Sequence, residues 1–161
     1  MRVVFGIGSN LGDRLGHLTA AVRGLAALGA SLVVSPVYET EPVGGPAGQG
    51  PYLNCVVLVE TDKAPRELLE AAWRLESAGG RVRTVKDGPR TLDIDVLLIE
   101  GLAIDEPDLV VPHPRMGERA FVLAPLEDVA PELAPAGWRE RLGGHEIVDR
   151  SVKRVGTLEV G

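Results

Sequence analysis

Four strand-length apolar runs alternate with two helix-period segments, and that alternation confines the chain to folds in which helices pack on a sheet. Residues 2–8 (RVVFGIG), 31–38 (SLVVSPVY), 52–60 (YLNCVVLVE) and 91–99 (TLDIDVLLI) are the runs, short and rich in β-branched residues. After the first, Leu15, Leu18, Val22, Leu25 and Leu28 recur at helical intervals, marking an amphipathic helix over 14–29 that Asp13 caps and Gly29 ends. After the third, Pro65 opens a helix that Leu68, Leu69, Ala72, Trp73, Leu75 and Glu76 carry to about Ala78. The order is β-α-β twice over. It predicts an α/β (α+β) sandwich of the ferredoxin-like kind, with a doubly wound parallel sheet as the alternative. Pro36 puts the second run at a sheet edge or a bulge.

The rest of the chain is less regular. Residues 39–51 read as a Gly/Pro-rich loop and 107–117 as irregular. Arg119 to about Val129 reads as helical up to a kink at Pro125, with a short helix near 138–142 and a strand at 152–160. At 161 residues the chain is one domain's worth, 1–161.

Composition narrows the function. A hydrophobic fraction of 45% and a charged fraction of 25% exclude disorder. A single cysteine, Cys55, excludes an internal disulfide framework, and His17, His113 and His145 lack metal-binding spacing. No apolar stretch reaches bilayer length and no signal core precedes Asp13, so a cytoplasmic protein without a membrane partner is expected. The net charge of −6 argues against a nucleic-acid partner. Residues 79–90, however, hold Arg81, Arg83, Lys86 and Arg90 against Asp87 alone, a local charge of +3 that suits a small polyanion.

That basic loop runs into Asp93-Ile94-Asp95. Alternate strand residues share a face, so the two carboxylates lie about 6.5–7 Å apart and repel. Leu92, Ile94, Val96 and Leu98 are expected on the opposite face, with Leu97 and Ile99 continuing the aspartates' face, in a central strand. Mg²⁺ is the natural compensator, and an ion pair with Arg90 the alternative. Arginines beside such carboxylates are what a Mg–nucleoside triphosphate needs. Gly6, Gly8 and Gly12 miss the dinucleotide fingerprint and read as tight-turn glycines. Tyr52 and Asn54 share a strand face, offering a stacking surface and an amide that reads a heteroaromatic edge.

These segments together resemble the 6-hydroxymethyl-7,8-dihydropterin pyrophosphokinases of folate biosynthesis. The resemblance is carried by GSNLGDR (8–14), YETEPVG (38–44), YLNCVV (52–57), GRVR (80–83), GPRTLDIDVLL (88–98), VPHPRM (111–116) and ERAFVLAPL (118–126), and weakens after about 135. It implies a three-layer α-β-α ferredoxin-like sandwich with a mostly antiparallel sheet. It also implies transfer of diphosphate from ATP to a pterin hydroxymethyl group, with AMP leaving. By the same resemblance Asp93 and Asp95 hold two Mg²⁺ ions, and Arg83 and Arg90 contact phosphates with Arg81, His113 and Arg119 assisting. Tyr52 and Phe121 sandwich the pterin, and Asn54, Thr40, Pro42 and Val43 meet its hydrogen-bonding edge. Val96, Leu109 and Val110 line the adenine pocket, and Glu76 borders the ATP site. A monomer acting on two small molecules is expected. The chain departs from the family pattern at Asp87, where an aromatic often covers the pterin, at Trp73, which replaces a polar residue, and at Asp108, which replaces a basic one.

Overall fold

The computed structural model describes residues 1–42, 47–80 and 90–159. Val43, Arg81, Arg83, Lys86 and Asp87 lie outside the described residues.

The six-stranded sheet is built from β1 (Arg2–Ser9), β2 (Ser31–Val34), β3 (Val37–Thr40), β4 (Tyr52–Glu60), β5 (Asp93–Ile99) and β8 (Val152–Gly156). Its order is β5-β1-β4-β3-β8, with β2 also paired to β4. Every pairing is antiparallel, which removes the doubly wound alternative and leaves the ferredoxin-like one. The run 31–38 is cut into β2 and β3 because Pro36 has no N–H for the ladder. Ser35 repairs the gap: its hydroxyl accepts from the Val56 N–H at 2.9 Å and donates to the Pro36 carbonyl.

Strand alternation sends side chains into two helical layers. Val3, Phe5 and Ile7 of β1 and Val57 and Val59 of β4 pack against α1 (Arg14–Ala26) and α2 (Pro65–Ala78). Val4, Val56, Leu58 and Leu97 pack on the other side, against α3 (Ala120–Val129), α4 (Trp138–Arg141) and α5 (His145–Ser151). The Asp13 carboxylate caps α1 through the Gly16 N–H. Pro125 does not end α3, which runs on to Val129. The only helical bond it forfeits is the one to the Phe121 carbonyl, in the first turn.

Three further expectations are corrected. β5 is an edge strand, not a central one. Its apolar run is buried because α2 and a hairpin of β6 (Ile104–Glu106) and β7 (Leu109–Val111) cover it, β7 lying within 107–117, where irregular chain was expected. The register between β1 and β5 shifts at Val4/Phe5, and this irregularity breaks the alternation. Leu98 therefore packs on the α3 side and Ile99 on the α1/α2 side, the reverse of the expected faces. Finally, Gly6 and Gly8 are strand residues and not turn residues; of the three only Gly12 has a positive φ.

Candidate active site

The site lies on the α3 face of the sheet, at the end where β1 leaves and β5 begins. Register brings its residues into one row. Gly8 of β1 pairs with Asn54 of β4 on one side and Asp93 of β5 on the other, and Asn54 pairs in turn with Tyr38 of β3. The Gly8 position must be bare, since a Cβ there would stand 2.6 Å from Asn54 Oδ1. Gly6, opposite Asp95, leaves room for Leu97 in the same way, with 3.0 Å between a Cβ and Leu97 Cδ1. The glycines are thus a floor between an amide and a pair of carboxylates. Two strand spacings, about 9.6 Å, separate the Asn54 and Asp93 backbones.

The amide side is pre-ordered. Asn54 is buried, and its Nδ2 donates to Thr40 Oγ1 at 2.7 Å. Thr40, Pro42, Tyr52, Asn54 and Phe121 line one cavity of about 820 Å³. The expected pterin residues within the described chain are therefore brought together, with Val43 the one outside it. Arg119 leans over the Phe121 ring at 5.5 Å from its centroid. The C-terminal part, read as weakly informative, also walls this cavity through Ile147, Arg150 and Val152, with Val152 paired to Thr40. The Gly8–Asn54 contact is visible only once register is known.

The carboxylate side is electrostatically tense. Arg90 pairs with Asp93 at 3.3 Å and Arg119 reaches Asp95 at 3.9 Å. The expected alternative for Asp93, an ion pair with Arg90, is thus present. Desolvation, then the neighbouring Asp93 carboxylate, push the Asp95 carboxyl well above the usual range, and Arg119 only partly offsets them. Glu76, 3% exposed, accepts from the Ile94 N–H at 3.0 Å, satisfying a donor on the free edge of β5. The two aspartates fit Mg²⁺ as a donor set. They offer hard oxygens from one strand face, and among the described residues no third acid, His or Cys completes a cage, which leaves positions for phosphate and water.

A second cavity, of about 420 Å³, opens on the other side of these carboxylates. Glu76, Val96, Leu109, Val110 and His113 line it as expected, and so does Trp73. Burial and then the Arg119 guanidinium hold His113 below its ordinary pKa. Its Nδ1 accepts from the Arg115 N–H at 3.1 Å, so the neutral ring carries its proton on Nε2, free to donate. Asp93 and Arg90 line both cavities.

One residue that sequence reasoning passed over holds the arrangement together. Asn10, 6% exposed, accepts from the Arg90 N–H at 2.8 Å through Oδ1 and donates through Nδ2 to Gln49 Oε1 and the Gly50 carbonyl. It joins the end of the basic segment to the long loop after β3. Its signal was an amide in a glycine turn, which reads equally well as turn chemistry.

The family described as 7,8-dihydro-6-hydroxymethylpterin-pyrophosphokinase matches residues 4–131. The 2-amino-4-hydroxy-6-hydroxymethyldihydropteridine pyrophosphokinase of Methylorubrum extorquens is 41% identical, over 96% of this chain and 98% of that protein. The Bacillus subtilis protein of the same name is 46% identical, over 88% and 93%. The fold also resembles the crystal structure of Plasmodium falciparum HPPK-DHPS, with a TM-score of 0.63 at 15% identity, covering 95% of this chain and 47% of that one. By sequence similarity over most of its length, the chain belongs to the 7,8-dihydro-6-hydroxymethylpterin-pyrophosphokinase family.

Proposed function

We propose that this chain transfers diphosphate from ATP to the hydroxymethyl arm of 6-hydroxymethyl-7,8-dihydropterin, a step of folate biosynthesis, with AMP as the second product. The observation that carries the reading is the sharing of Asp93 and Arg90 by two cavities, one amide-edged and aromatic-walled, the other lined by Trp73, Leu109 and Val110 as well as by the carboxylates and His113. A pterin ring between Tyr52 and Phe121, with its polar edge on Asn54 and the chain at Thr40 and Pro42, points its arm across Gly8 toward Asp93. A nucleotide in the second cavity brings its phosphates to the same carboxylates from the opposite side.

Chemistry of this kind consists mainly of positioning and charge neutralisation. The alcohol oxygen bonds to the β-phosphorus as the bond to the α–β bridging oxygen breaks; that oxygen leaves on AMP, and the hydroxyl proton is released to solvent. Arg90, Arg119 and the His113 Nε2–H are placed to meet phosphate oxygens. Arg81 and Arg83 join them on the family pattern alone, with Arg83 as the clamp on the moving diphosphate. Asp93 and Asp95 would hold two Mg²⁺ ions, which would supply neutralisation of the phosphate charge. Asn54 and Gly8 orient the arm, and Tyr52 and Phe121 exclude water around it.

A monomer is the proposed working unit, because one chain supplies both cavities. No helix among the described residues is long and apolar enough to cross a membrane, and a cytoplasmic setting is part of the proposal. The test is a nucleotide product analysis of ATP, Mg²⁺ and protein with and without the pterin. AMP that appears only with the pterin supports the reading; pterin-dependent ADP would overturn it.

A further inference from the structure

We propose that Trp73 is the platform on which the nucleotide base stacks, so that this chain grips its nucleotide by an aromatic face at the end of the cavity remote from the reacting phosphates. The inference rests on reading the second cavity as the nucleotide site. Three residues of α2 face that cavity, Leu69, Trp73 and Glu76, spaced so that they share one helix face. Glu76 is tied to the Ile94 N–H at the start of β5, beside the aspartates. Trp73 and Leu69 therefore lie successive turns back along α2, away from the carboxylates.

The charges give the cavity a direction. Arg90 and His113 belong to the aspartate end: Arg90 is paired with Asp93, and His113 senses Asp93 and Arg119. At the other end stands Asp108, gripped by Arg66 through two hydrogen bonds of 2.7 and 2.9 Å. A triphosphate carried on Mg²⁺ would find the Asp93–Asp95 carboxylates for its metal and Arg90 for its oxygens at the first end, whereas Asp108 at the second end is already satisfied by Arg66 and offers a phosphate no cation. The uncharged base is left for the second end, between Trp73 and the apolar Leu109 and Val110. Trp73 is the one Trp, Tyr or Phe among the described residues that line the cavity, and it is 39% exposed. A flat ring held open to a pocket rather than folded into the core gains most from a second flat ring, and such stacking is tolerant of which base supplies it.

The chain has two tryptophans, and the other reports from elsewhere. Trp138 is buried on the opposite face of the sheet, its Nε1 donating to Glu127 at 2.7 Å. The experiment is a titration of wild type, Trp73→Phe and Trp73→Ala with MgATP and, separately, with inorganic tripolyphosphate. It is followed by tryptophan emission and by calorimetry. Wild-type emission should change saturably with MgATP, and the change should vanish in Trp73→Phe, which still binds. Trp73→Ala should bind MgATP about tenfold more weakly, with the loss appearing in KM for ATP and not in KM for the pterin. Its affinity for tripolyphosphate should not move. Wild-type affinity for MgATP in Trp73→Ala, or equal weakening for ATP and tripolyphosphate, would overturn the proposal. Failure of the pyrophosphokinase reading would show separately, as an absence of pterin-dependent AMP from wild type.

Discussion

Asn10 grips the Arg90 backbone from both sides: its Oδ1 accepts from the Arg90 N–H at 2.8 Å, and its own N–H donates to the Arg90 carbonyl at 3.1 Å. The same side chain holds Gln49 and Gly50 of the loop after β3. The residue proposed to present a cation to the phosphates and the loop that leads into β4 are therefore fastened to one amide. Asn10→Ala leaves the Arg90 N–H without this acceptor and releases the loop. The bonds are part-buried, so losing each costs about 0.5–1.5 kcal/mol, and a fall in Tm is expected, with KM rising for both substrates. Thermal denaturation together with steady-state kinetics in each substrate checks this. A variant that loses stability but keeps both KM values would assign Asn10 to the fold alone.

Asp93→Asn and Asp95→Asn should separate activity from stability. Each would remove one of the two carboxylates proposed to hold Mg²⁺ on this strand face, so turnover should fall by about 10²–10³ or more. The fold should hold or gain, because Asp95 is desolvated and repelled by Asp93 and nothing in the core depends on its charge. Tm and turnover measured on the same preparations test both parts. A lower Tm in Asp95→Asn would show that its pairing with Arg119 outweighs the repulsion.

Gly8→Ala asks whether the slot between Asn54 and Asp93 is needed. The new Cβ would stand 2.6 Å from Asn54 Oδ1 and 3.4 Å from the Tyr52 ring. The amide must move away from the pterin edge it is proposed to read. KM for the pterin should rise about tenfold or more, the range expected when a polar recognition group is lost, while KM for ATP changes little. Equal changes in both would place the damage in the sheet.

The two β-α-β units and the site's principal side chains were legible because periodicity and residue chemistry are local. Asp93, Asp95, Asn54 and Tyr52 announce themselves by alternation within one strand. What was not legible depends on pairing. β5 was read as central because an edge strand covered by α2 and the β6–β7 hairpin has the same apolar composition as a central one. The faces of Leu98 and Ile99 turned on a register shift that only the partner strand reveals. Gly6 and Gly8 looked like turn glycines because their neighbours across the sheet, Leu97 and Asn54, are far away in the chain.

Cys55 gives a pH prediction. Burial pushes its thiol up to about 12, above the 8.5 or so of a free thiol. Between those values the native chain keeps a proton that the unfolded chain has lost, so this group's contribution to stability is intact below the lower value and declines as pH rises through the interval. At pH near 8 the native thiol should resist a thiol-specific reagent and react after denaturation. Rapid labelling of the native protein would contradict the burial.

The central claim is that attack falls on the β-phosphorus. ³¹P NMR of ATP, Mg²⁺, hydroxymethyldihydropterin and protein tests it directly. The account predicts loss of the three ATP resonances together, the single resonance of AMP, and two mutually coupled resonances of a diphosphate ester on the pterin. ADP with a single phosphate ester on the pterin would place attack at the γ-phosphorus and contradict it.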